Sequence, residues 1–269
     1  LALDPDLKVI APVREWDLKC RPDEVAYAHE HGIPVPEGAN DNPYSIDDNL
    51  WGRAIECGHR EDPGNEPLDD AWTMTKSPEN TPDTPTYVEI GFEAGKPVSI
   101  DGEQMKLSEL IIKLNKIAGD NGFGRLDLVE DRLVGLKSRE CYEVPAALTL
   151  LQAHKALEDL TVEGDVLRSK FALEQQWATT VYNGKWFTPL REALSAFADK
   201  TQEHVTGSVK LKLYKGNMIT ASITSPESLY SEELVTFNES SYDQTNATGF
   251  INLWGLPDTV LALREQGKL

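Results

Sequence analysis

Hydrophobic positions change their period several times along the chain, and each change predicts an element. "LKVIAPV" is a continuous apolar run of the kind that forms a buried strand inside an α/β sheet. "RPDEVAYAHEHG" (21–32) has proline near its start and glycine at its end, the asymmetry of a short helix. Residues 61–85, "EDPGNEPLDDAWTMTKSPENTPDTP", carry no period and are dense in Pro, Asp, Asn and Thr, which predicts a long exposed connection and a domain boundary. "TYVEIGFEAGKPVSIDG" then alternates about the turn "EAGKP", a hairpin pattern with one covered face. In "KLSELIIKLNKIAGDNG", Leu107, Leu110, Ile111, Leu114 and Ile117 recur at three- and four-residue spacings, with Gly119 near the exit.

"RLDLVEDRLVGLKSRECYEV" reads as two extended segments, and apolar stripes predict helices over 145–160, 165–182 and 189–204. "SVKLKLYKGNMITASITS" is a second hairpin about Lys215, Gly216 and Asn217, and the tail turns helical after Pro257. Helices and hairpins in mixed order, without regular βαβ repetition, predict an α+β fold of helices and antiparallel hairpins. No internal repeat is visible.

Composition narrows the partners. The 269 residues are 40% hydrophobic and carry a formal net charge of -19, enough apolar content for a core and no basic stripe for phosphate. Nucleic acid is therefore not an expected partner. Cys20, Cys57 and Cys141 are odd in number and widely spaced, which fits neither a disulfide framework nor a paired zinc motif. With no apolar run near the roughly 20 residues that cross a bilayer, the expectation is a soluble, reduced, cytoplasmic protein without a membrane partner. The chain does not open on methionine and its first strand needs neighbours, so it is expected to begin partway through a longer protein.

Self-sufficient chemistry is sparse: there is no Gly-rich phosphate loop, Walker lysine, nucleophile elbow or HExxH. His29, His31, His59, His154 and His204 are scattered, so a histidine metal site needs a spatial coincidence. Two stretches crowd polar groups beside apolar ones. One holds Glu130, Asp131, Arg132, Lys137, Ser138, Arg139, Glu140, Tyr142 and Glu143; the other, "PYSIDDN", sets Ser45 before Asp47, Asp48 and Asn49. The first fits either solvent-facing strand charges or recognition of a polar amino acid, where a carboxylate accepts from an ammonium and a phenol packs and hydrogen-bonds. The second fits either an ordinary helix N-cap or part of the same pocket.

At these stretches the sequence resembles argininosuccinate synthase. "PYSIDDNLWGRAIECG", "GRLDLVEDRLVGLKSRECYEVPAALTLLQAH", "FTPLREALSAF", "VTGSVKLKLYKGN", "SPESLYSEELVTF" and "YDQTNATGFINLWGLP" follow that family in order. The resemblance implies a ligase that joins citrulline to aspartate using ATP with Mg2+, through a citrullyl-adenylate. It places citrulline contacts on Ser45, Glu130 and Tyr142. Two departures stand out: a usual pocket serine is Ala54, and a usual asparagine is Asp131. It also implies a homotetramer, and a nucleotide-binding domain with most ATP and aspartate contacts that is not in these residues. The implied organisation is the end of that α/β domain at 1–40, a synthetase domain at 41–250 and an oligomerisation arm at 251–269. A different class of reading is a non-catalytic amino-acid-binding or oligomerisation module.

Overall fold

The computed structural model describes residues 2–35, 44–56, 58, 62–67, 69–236 and 242–269. Helix α1 is Arg21–Glu30. Strands β1 (Ser45–Asp48) and β2 (Arg53–Glu56) follow. Next come β3 (Thr86–Glu93), β4 (Lys96–Ile100), the short β5 (Glu103–Gln104) and helix α2 (Leu107–Asp120). Strands β6 (Arg125–Asp131) and β7 (Lys137–Glu143) precede helices α3 (Pro145–Thr161), α4 (Gly164–Tyr182) and α5 (Pro189–Thr201). Strands β8 (Gly207–Tyr214) and β9 (Asn217–Thr224) complete two wholly antiparallel sheets, ordered β1-β2-β7-β6 and β5-β4-β3-β8-β9. The α+β expectation holds.

The main core lies between the five-stranded sheet and helices α2 and α3. Alternate residues Val88, Ile90 and Phe92 of β3 and Val209, Leu211 and Leu213 of β8 meet Leu110, Leu114, Leu150 and Leu157 from the helices, all buried. Each fully buried side chain of this size contributes roughly 1.5–3 kcal/mol of transfer free energy. The β8–β9 turn uses Lys215 and Gly216 at φ of 50° and 79°, the mirror-image turn that matches strand twist.

Three expectations are corrected. The "LKVIAPV" strand is absent: Val9 and Ile10 are 93% and 85% exposed and only a 3-10 turn forms, at Pro12–Arg14. A strand needs a neighbour to take its backbone hydrogen bonds, and no described residue supplies one. Ser45 does not open a helix; it begins β1, because pairing with β2 satisfies the backbone that an N-cap would otherwise serve. The connection at 61–85 is not simply exposed, since Ala71, Thr75 and Thr81 are buried and it lies inside one compact unit.

That unit runs over Leu1–Glu227; a second spans Ser228–Leu269. The second contains α6 (Glu232–Val235), α7 (Asn246–Trp254) and α8 (Leu256–Glu265), with Phe250 and Trp254 stacked at 5.4 Å between centroids. Among the described residues no helix is long and apolar enough to cross a membrane.

Candidate substrate-binding face

The four-stranded sheet sorts its side chains by register. Ser45 opposes Glu56 and Asp47 opposes Ala54 across β1 and β2; Ala54 opposes Tyr142 across β2 and β7; Glu140 opposes Leu128 and Ser138 opposes Glu130 across β7 and β6. Cross-strand partners and alternate residues share a face. Ser45, Ala54, Glu130 and Tyr142 therefore lie on one face, together with Asp47, Glu56, Ser138 and Glu140. The opposite face carries Ile46, Ile55 and Cys141, which pack with Tyr44, Ala71 and Trp72 into a small second core. One face is greasy and covered, so the other is free to be polar.

On that polar face the Tyr142 hydroxyl donates to Glu130 Oε2 at 3.1 Å. Burial, reinforced by the Glu130 carboxylate, pushes the phenol well above its ordinary pKa, so it remains a proton donor. Glu140 is buried; Ser138 Oγ donates to it, and the Arg132 guanidinium stands 3.9 Å from it and 3.7 Å from Glu56. Glu56 titrates above the ordinary carboxylate range because burial, and then Glu140, disfavour its charge; Arg132 opposes both. The expected extra charge of Asp131 is matched by Lys137 at 2.8 Å. Ser45 sits on the edge strand, two strands from Tyr142, with the methyl of Ala54 on the strand between them.

The other polar residues of these stretches are structural. Glu143, fully buried on the covered face, accepts from the backbone amides of Thr73 (2.9 Å), Met74 (2.9 Å) and Thr75 (2.8 Å) and from the Thr75 hydroxyl (2.7 Å). Arg125, its cross-strand partner, donates to Thr75 Oγ1 and to the Thr75 carbonyl and lies 4.8 Å over the Trp72 ring. Arg139 forks onto Asp127 at 2.8 and 2.6 Å and reaches the carbonyls of Asp62 and Asn65. Arg139 and Glu143 stood among the sequence candidates; here they staple the 62–75 segment to the sheet. Glu143 and Arg125 were not singled out for that role, and the only signal was the concentration of charge beside an apolar strand.

The described histidines do not converge. His154 contacts Gln202 and Glu158, and His204 contacts Glu227. His59 and Cys57 lie outside the described residues, and among those described no cluster of three or more His, Cys, Asp or Glu can hold a metal.

Comparison with known proteins adds to this geometry. Residues 44–261 match the family model for the arginosuccinate synthase C-terminal domain. The chain is 57% identical over 257 residues to the argininosuccinate synthase of Rubrobacter xylanophilus, covering 95% of this chain and 62% of that one. Identity to the argininosuccinate synthases of Bacillus licheniformis and Lactiplantibacillus plantarum is 55%, covering 67% and 63% of their lengths and 99% and 97% of this chain. The chain thus spans between three fifths and two thirds of these curated relatives.

Proposed function

We propose, because this chain belongs to the argininosuccinate synthase family, that its four-stranded sheet is the citrulline-facing wall of an ATP-dependent carbon–nitrogen ligase. The observation that carries this reading is the common face: Ser45, Ala54, Glu130 and Tyr142, distant in sequence, share it by register. Glu130 accepts from the substrate ammonium, Tyr142 packs against the substrate and offers its phenol oxygen as a hydrogen-bond acceptor, and the Ser45 hydroxyl serves the other substrate end. A urea is a poor electrophile, so its oxygen becomes a good leaving group as the adenylate, with pyrophosphate released. The aspartate amine then displaces AMP to give argininosuccinate. This wall's share of catalysis is orientation, holding the ureido group while the nucleotide and then the amine approach.

The residues that handle ATP, and most of those that handle aspartate, are proposed to belong to the part of the relatives' length that this chain does not match. The proposed setting is arginine biosynthesis in the cytoplasm, as a homotetramer. The test is AMP formation by the protein as encoded, dependent on both citrulline and aspartate. Glu130→Gln is expected to raise the citrulline KM by about tenfold or more, the loss of one charge-assisted hydrogen bond. No citrulline-dependent AMP and no citrulline binding by calorimetry would leave the non-catalytic assembly module.

A further inference from the structure

The Tyr142–Glu130 hydrogen bond does not join direct cross-strand partners. Glu130 opposes Ser138, and Tyr142 opposes Leu126. The one β7 residue between Ser138 and Tyr142 on that face is Glu140, opposite Leu128, so the bridge passes over the Glu140–Leu128 pair. The two differ in exposure: Glu140 is 6% exposed, Leu128 42%. A covered carboxylate requires partners. It takes the Ser138 hydroxyl and the guanidinium of Arg132, which Glu56 also approaches from β2. Arg132 begins the turn that leaves β6, two residues beyond Glu130, and its amide donates to the Leu136 carbonyl at 2.8 Å.

We propose that Glu140, with Arg132 as its counterion, is a positioning residue for the ligand-facing pair Tyr142 and Glu130. The inference rests on the citrulline reading above and adds to it a residue that fixes where the ammonium acceptor sits. Glu140 occupies the Ser138 hydroxyl, which would otherwise be free to donate to its direct partner Glu130 and compete with the ligand. Arg132 ties the turn after β6 to Glu140 on β7 and to Glu56 on β2, so that Glu130 meets Tyr142 rather than solvent.

The experiment is Glu140→Gln, which keeps size and removes charge, in the protein as encoded. Expected is about a tenfold rise in citrulline Kd by calorimetry and a citrulline KM increase that outruns any fall in kcat, with the KM values for ATP and aspartate within about twofold. Arg132→Ala moves citrulline in the same direction and Arg132→Lys recovers most of the loss. A purely structural role would lower the melting temperature without this citrulline-selective pattern. If Glu130→Gln weakens citrulline while Glu140→Gln and Arg132→Ala leave it within twofold, the positioning role fails and the wall reading stands. If Glu130→Gln has no effect either, the wall reading fails and takes the positioning role with it. Should Glu140→Gln not fold, the Arg132→Ala and Arg132→Lys pair decides.

Discussion

Glu143 shows how much a single side chain carries when its partners are backbone amides. Its carboxylate takes three successive N–H groups and a hydroxyl in a site closed to water. Glu143→Gln puts an amide donor against one of those N–H groups, and denaturant unfolding is expected to show a loss of about 3 kcal/mol. Ala54 makes the opposite case. Ala54→Ser adds a hydroxyl to the polar face between Ser45 and Tyr142 and is expected to tighten citrulline binding by roughly 1 kcal/mol, about fivefold, read by calorimetry. Glu56 gives a pH signature. Its folded pKa is raised above the ordinary value of 4.5, so its contribution to stability is present below that value and is lost as pH rises through the folded one. Melting temperatures measured from pH 4 to pH 7 are expected to move steadily in favour of Glu56→Gln over the parent. The polar character of these positions was legible in the sequence, and resemblance singled out Ser45, Glu130 and Tyr142, which strand register places on one face. The division between residues on the free polar face and residues that staple the connection was not legible, because it depends on strand parity and on amides about 70 residues away.

At the scale of elements, close approach sets the limits. Gly119, in the last turn of α2, lies so near the connection that an added Cβ would stand 2.2 Å from the Met74 carbonyl oxygen, while its own carbonyl accepts from the Lys76 amide. Gly119→Ala is expected to cost about 1–3 kcal/mol in chemical unfolding, because a methyl forced into a packed contact shifts the backbone. The same displacement would draw Met74 and Thr75 away from Glu143, so Gly119→Ala and Glu143→Gln should be non-additive in a double-mutant cycle. Gly124, at φ 120° with a Cβ position 2.4 Å from Pro145, similarly lets β6 follow α2 tightly. Long periodic elements could be read directly: α2, α3, α4, α5 and both hairpins formed where apolar spacing put them. Besides the 61–85 connection, the misread elements were short pieces whose state depends on a partner strand. β1 is four residues long and its Ser and Asp serve equally as helix caps, so only pairing with β2 decides its state. "LKVIAPV" has strand composition without a strand partner.

For the molecule as a whole, the second unit carries a row of exposed apolar side chains on α7 and α8: Phe250, Ile251, Leu253, Trp254, Val260 and Leu261. With the proposed homotetramer, Leu253→Asp combined with Trp254→Glu is expected to lower the assembly mass seen by light scattering on a sizing column, while far-ultraviolet circular dichroism keeps the helices and sheets. The order of strands in the four-stranded sheet has a different consequence, one for the chain as it is synthesised. β2 finds its inner neighbour in β7, on the order of 85 residues later in the sequence. At about 5–20 residues per second of translation, β1 and β2 are made several seconds before the strand that pairs with their inner edge. Until β7 is made, Ile55 has neither Cys141 nor a finished sheet to cover it, so the small second core is the last part of this sheet that synthesis can close.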